Sequence, residues 1–237
     1  MFTSAHFVWL GAIAIAAALI LVQKCNLSHK AVGKGVMFLL IALKIFHLSL
    51  SVRESEFGGY VLDQQQLSFH LCSIMNYAVV FSNIIQNKKV VATMKSFMVP
   101  CLFIGAAMAL LIPTEGVDPT VPRVWEFMLA HGVMVFYGIY LAAVEKVDLS
   151  VKTYFTNLKL LVCVVLLATL MNSILEQYET NYLFLRKPPM ENLPILNLDN
   201  GWYVYFLTLL VIACALVFLV QLPFMLLQKK RDHISCK

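Results

Sequence analysis

The sequence predicts an all-α membrane protein, a polytopic helical bundle of seven transmembrane helices with its N-terminus outside and its C-terminus in the cytoplasm. Three observations carry this. The 237 residues are 60% hydrophobic and only 13% charged, with a mean hydropathy of +0.80, whereas soluble domains are about half apolar and about a quarter charged. Seven apolar runs approach the ~20 residues that a helix needs to cross the hydrocarbon core. The lysines gather in alternate connectors between those runs. Lipid tolerates such a composition because each spanning helix satisfies its own backbone hydrogen bonds.

The first run, 5–22, has no Lys or Arg before it and no small-residue cleavage site near its end, so it reads as a retained helix rather than a signal peptide. The second, 36–51, is short and carries Lys44 and His47. The third to sixth occupy 69–85, 97–112, 125–144 and 158–174, and the seventh 203–227. Glycine, proline and polar residues fall in short connectors, with no repeat, low-complexity tract or soluble second domain. Residues 1–237 therefore read as a single transmembrane domain.

Orientation follows from charge. One set of connectors holds Lys24, Lys30, Lys34, Lys88, Lys89, Lys95, Lys146, Lys152, Lys159, Lys229, Lys230, Arg231 and Lys237. The alternate set holds Arg53, Arg123, Arg186 and Lys187. Thirteen against four, without a break in the alternation, places the Lys-rich side in the cytoplasm. The net charge of +5 is thus topological. No basic stripe interleaved with aromatics exists, which excludes a nucleic-acid partner.

Ionisable groups within spanning helices are costly and mark candidate sites. On this topology Lys44, His47 and Ser51 share a face of helix two in its outer half. His70, Cys72, Ser73 and Asn76 occupy the first two turns of helix three, also near the outer surface. Glu126 lies at the mouth of helix five with His131 deeper, and Thr169, Asn172 and Glu176 share a face at the end of helix six. Together these predict a pocket opening to the outer half of the bilayer, with His70 and Asn76 among its lining residues.

Of the cysteines, Cys101, Cys163 and Cys214 sit among apolar neighbours as packing residues. Cys25 and Cys236 stand at cytoplasmic ends, where a thiol can be palmitoylated. Only Cys72 lies in the polar layer. A thiolate nucleophile needs a base for its proton. His70 is two residues away, and two such residues on one helix point about 200° apart at ~3.6 residues per turn. His131 is accordingly the better base, and Asn172 a candidate to orient the imidazole or to donate to an oxyanion. No zinc motif, phosphate-binding loop, dinucleotide fingerprint or serine nucleophile elbow appears, so neither metal nor cofactor is expected.

Three ordered segments carry a resemblance. They are Phe69-His-Leu-Cys-Ser-Ile, then Ile112-Pro-Thr with Phe127-Met-Leu-Ala-His131-Gly132, and then Asn172-Ser-Ile-Leu with Asn181-Tyr-Leu-Phe-Leu-Arg-Lys-Pro188 and Gly201-Trp-Tyr. Over roughly residues 40–210 the chain resembles the YwaF family of bacterial membrane proteins, related to the animal transmembrane protein 164. The chain departs at Ser68, where relatives often carry proline, and at Asn200-Gly-Trp-Tyr, where they have a proline-rich segment.

The resemblance implies a multi-pass membrane acyltransferase that moves fatty acyl chains between phospholipids through a cysteine, sited in the cell membrane if the chain is bacterial. It maps the cysteine onto Cys72, the histidine onto His131 and the loop motif onto Asn181 and Tyr182. Asn181, Tyr182 and Arg186, in this external loop, are the candidates to hold the headgroup phosphate, Arg186 being suited to bidentate contact. Two other readings stand beside it. One is a small-solute or proton-coupled transporter using Lys44, His47, Glu126, His131 and Glu176 as a relay. The other is a seven-helix lipid sensor without catalysis.

Overall fold

The computed structural model describes residues 3–22, 28–54, 59–67, 69–113, 115–189, 193 and 195–235. Cys25 and Cys236, with Lys24, Ser68, Thr114 and Lys237, lie outside the described residues. The described chain is mostly helical. In order come α1 (Ser4–Val22), α2 (His29–Ser49), a hairpin of β1 (Val52–Glu54) and β2 (Tyr60–Leu62), and α3 (Leu71–Ile84). Then follow α4 (Lys88–Leu111), α5 (Pro122–Glu145), α6 (Val151–Ile174) and α7 (Trp202–Ser235). Five of these, α2, α4, α5, α6 and α7, are long and apolar enough to cross a membrane, and α1 and α3 are shorter apolar helices.

Each of the seven apolar runs forms a helix, but several boundaries differ from the apolar runs. Helix α2 starts at His29 rather than 36, α4 at Lys88 rather than 97, and α6 at Val151 rather than 158. In each case a polar residue caps a first turn that contains lysines. Ser28 accepts from Ala31 N–H at 3.2 Å. Asn87 accepts from Lys89 and Val90 N–H at 3.0 and 3.3 Å, and Ser150 from Thr153 N–H at 3.5 Å. A capped turn is helical whether or not it is apolar, so the helices extend past their membrane-compatible stretches.

Two further differences bear on the site. Helix α3 begins at Leu71, not 69, so Phe69 and His70 precede it. Helix α6 ends at Ile174, and Glu176 falls in a separate 3-10 turn, Glu176–Tyr178, closed by Glu179 at φ 53°. Glu176 therefore does not continue the helical face of Thr169 and Asn172.

The chain packs as two compact units, Met1–Val52 with Met75–Asp148, and Arg53–Ile74 with Leu149–Lys237. In the first, Leu110, Val124 and Met128 form a buried cluster joined by Trp9, Leu10 and Ile13. Gly132 lies against α1, since a Cβ there would come within 3.2 Å of the Ile13 side chain. In α4, Pro100 interrupts the backbone donors and a π-turn follows at Phe103–Ala107, an accommodation expected where an N–H is missing. A second π-turn, Tyr140–Glu145, ends α5, and Lys146 leaves it at φ 56°. In the second unit, Ala168, Tyr182 and Leu185 are buried against Leu67, Phe69, Phe206 and Leu209.

Much of the apolar surface faces outward. On α6, Val162, Leu166, Leu170 and Ile174 recur every four residues and are all more than half exposed. Helix α7 presents Leu207, Val211 and Leu219 likewise. In water such stripes would be strongly unfavourable; in hydrocarbon they are the ordinary surface of a spanning helix.

Candidate functional site

The second unit holds Cys72 and most of the side chains singled out from the sequence. Its first part is the stretch leading into α3. Asp63 caps a short 3-10 turn, Gln64–Gln66, by accepting from Gln65 N–H at 3.0 Å, and Arg53 pairs with Asp63 at 3.8 Å. The carbonyl of His70 accepts from Ile74 N–H at 3.0 Å, which makes His70 the residue that opens α3. Cys72 is thus in the first helical turn, half-buried, beside backbone N–H groups that no helical carbonyl can reach. His70 and Cys72 point to opposed faces only if both lie on the helix. Since His70 lies before it, that constraint does not apply.

The second part is the loop after α6. Asn172, buried near the end of α6, grips Tyr182 by both backbone groups. Tyr182 N–H donates to Asn172 Oδ1 at 2.8 Å, and Asn172 Nδ2 donates to Tyr182 O at 3.1 Å. Both halves of the amide thus hold the loop, the bridging use of an intramembrane asparagine. Asn181 closes the loop on itself. Its Oδ1 accepts from Arg186 and Lys187 N–H at 3.0 and 3.3 Å, and its Nδ2 donates to Lys187 O at 2.9 Å. Arg186 also pairs with Glu176 at 2.5 Å, on the exposed side of the loop.

Between these anchors the backbone is strained. Leu183 and Phe184 are both left-handed, with φ 55° and 56°, a conformation that costs a non-glycine residue roughly 1–2 kcal/mol. Two side chains of α7 secure the turn. Tyr205 OH donates to the Phe184 carbonyl, and Trp202 Nε1 donates to Leu185 O at 2.9 Å. Tyr182, fully buried, reaches across to donate its hydroxyl to the Gln64 carbonyl. Burial and the neighbouring Asp63 charge push its phenol up to about 12, so it remains a donor at neutral pH. Its ring meets Phe69 at 5.2 Å and His70 edge-on at 5.4 Å, and the Phe184 ring meets His70 at 5.6 Å.

The first unit holds His131 and Asn76. His131 is buried on α5, with Nδ1 2.7 Å from the Phe127 carbonyl and its ring 4.3 Å from that of Phe127. A carbonyl only accepts, so Nδ1 carries the hydrogen and Nε2 is the basic nitrogen of the neutral ring. Asn76, on α3, is half-buried, and its buried Oδ1 has no hydrogen-bond partner among the described residues. His47 Nδ1 lies 3.0 Å from Glu126 Oε2, both largely buried. Arg123 pairs with Glu115 at 3.0 Å and donates to Leu50 O and Ser51 Oγ at 3.1 and 3.3 Å, closing the end of α2.

The other described cysteines differ from Cys72. Cys101 is buried among apolar residues, whereas Cys163 is exposed on the outside of α6, a surface position rather than the packing role expected of it. No cluster of three or more metal-ligating side chains occurs among the described residues. Neither Gln64 nor Tyr205 stands out in the sequence. Gln64 acts through a backbone carbonyl, which leaves no trace in side-chain chemistry. Tyr205 follows the Gly201-Trp-Tyr motif, where aromatics near a helix start read as an interfacial belt.

The family model that matches this chain, described as the TMEM164 family, covers residues 1–221. No curated protein and no solved structure matches it. A match over nearly the whole length, together with apolar helices long enough to cross the bilayer, identifies the chain as a multi-pass membrane protein that belongs to the TMEM164 family.

Proposed function

We propose that this protein transfers fatty acyl groups between membrane phospholipids through a thioester at Cys72. The observation that carries the proposal is the setting of Cys72. It lies in the first turn of a helix at a half-buried, heavily braced corner, where first-turn amides favour developing negative charge. The family resemblance supplies the reaction class.

In this reading the family resemblance gives His131 the role of base for the thiol proton, and its Nδ1–H to the Phe127 carbonyl fixes the tautomer that leaves Nε2 as the basic nitrogen. The Cys72 sulfur forms a bond to the ester carbonyl carbon of the donor lipid. The oxyanion is stabilised by first-turn N–H groups of α3 rather than by Asn172, whose amide holds the Tyr182 backbone. Collapse breaks the ester C–O bond, and the imidazolium returns its proton to the departing lysolipid alkoxide. An acceptor hydroxyl then attacks the thioester by the same steps in reverse, and water in its place gives hydrolysis. Asn76 Oδ1, without a partner among the described residues, accepts from a lipid hydroxyl, and Arg186 exchanges its Glu176 partner for the headgroup phosphate. The charge alternation supports seven crossings with the N-terminus outside, which puts this chemistry toward the outer leaflet.

The test is transfer of labelled acyl chains by protein in nanodiscs. Cys72→Ala is expected to reduce it roughly a thousandfold or more, as loss of a covalent nucleophile does. Undiminished transfer would refute the proposal. A second reading, proton-coupled transport, has the buried His47–Glu126 pair in its favour. Glu176, which the relay also needs, is instead exposed and paired with Arg186. Proton-dependent solute flux into vesicles, with no acyl transfer, would support it.

A further inference from the structure

The connection between α6 and α7 is built more heavily than a linker requires. Within a few residues it takes two hydrogen bonds from Asn172, three from Asn181, one from Tyr205 and one from Trp202. It also maintains two consecutive left-handed non-glycine residues. Strain of this kind persists only where the surroundings over-determine it, and it concentrates at functional sites. What the strained turn presents to the rest of its unit is specific. The rings of Tyr182 and Phe184 both lie against His70, and the Tyr182 hydroxyl is bonded to the Gln64 carbonyl. His70 in turn opens the helix whose first turn carries Cys72.

We infer that this loop is a positioning device for the His70–Cys72 corner, with Tyr182 and Tyr205 as its two anchoring hydroxyls. Asn181 and Tyr182 then act through the loop and not by touching a lipid headgroup, because their polar groups are engaged within the protein. Holding the His70 ring against two aromatic rings fixes the start of α3 and hence the direction in which the Cys72 thiol is offered. The inference rests on the reading of Cys72 as the reactive thiol, but its test needs no lipid substrate.

Full-length protein in nanodiscs is treated with iodoacetamide across a range of about pH 6 to 9, and alkylation of each cysteine is followed by mass spectrometry. Cys163 and Cys214, in the same unit, serve as internal references. Tyr182→Phe and Tyr205→Phe each delete one hydroxyl and remove its bond to a part-buried main-chain carbonyl. Each is expected to change the Cys72 rate at neutral pH about tenfold and to move its pH profile. The rates of Cys163 and Cys214 should stay within about twofold of wild type, since single-site changes rarely propagate to independent sites. Phe184→Leu, which removes only the ring against His70 and keeps the Tyr205 bond to the main chain, should act in the same direction. An unchanged Cys72 profile in all three variants overturns the inference, as does a parallel change at all three cysteines, which would signal general loosening. A Cys72 profile that responds to these variants in a protein that never forms a thioester would refute acyl transfer and leave the positioning role standing.

Discussion

At the scale of single residues, burial and hydrogen bonding assign work that residue type alone leaves open. Gly33 and Gly35 stand two apart in α2 and look alike in the sequence, yet a Cβ at Gly33 would come within 2.6 Å of Asn83 Oδ1, and one at Gly35 meets nothing within 4 Å. Asn83 is not free to retreat at no cost, since its Nδ2 donates to the Val79 carbonyl at 2.9 Å. Gly33→Ala is expected to destabilise the protein by about 1–3 kcal/mol through overpacking, and Gly35→Ala to be neutral or stabilising by about 0.5–1 kcal/mol. Thermal unfolding in a fixed detergent checks the pair, and equal effects would show that the Asn83 contact does not matter. The sequence made Cys72 conspicuous by its polar neighbours, and His131 by its depth and the family motif. It could not show that Asn172 spends its amide on the Tyr182 backbone, because the partner is main chain ten residues away.

At the scale of elements, the apolar runs located α1 to α7 among the described residues but not every helix end. Hydrophobicity reports where a helix meets lipid, whereas capping reports where it begins, and the two differ wherever a lysine-bearing turn projects beyond the hydrocarbon. Asn87 illustrates the difference, since its side chain satisfies two N–H groups of α4 well before the apolar stretch starts at 97. Asn87→Ala is expected to cost about 1 kcal/mol, measured as a lower midpoint of thermal unfolding, and Asn87→Asp to retain most of the stability. No loss in the alanine variant would mean that the first turn is held by other contacts. The start of α3 matters more for function. Moving it from 69 to Leu71 takes His70 off the helix and puts Cys72 in the first turn, a two-residue shift that an apolar periodicity cannot resolve.

At the scale of the whole molecule, composition and charge determine what solvent surrounds the chain. The exposed stripes on α6 and α7 agree with the 60% hydrophobic composition, and both follow from lipid rather than water covering the helices. Orientation rests on the thirteen-to-four division of basic residues. Reporters fused at the C-terminus should therefore be reached only after the membrane is permeabilised. Labelling of a cysteine introduced in the 195–200 loop should occur in intact cells. The reverse pattern would invert the orientation and put the proposed chemistry toward the inner leaflet.

The central claim is a covalent acyl intermediate on one named sulfur. The most direct measurement is peptide mapping by mass spectrometry after the purified protein, in nanodiscs, is exposed to a phospholipid of defined acyl chains. The account predicts an acyl mass on the peptide containing Cys72, removed by hydroxylamine, absent from Cys72→Ser and strongly reduced in His131→Ala. An unmodified Cys72 under conditions in which lipid is turned over, or acylation spread equally over Cys101, Cys163 and Cys214, would contradict it.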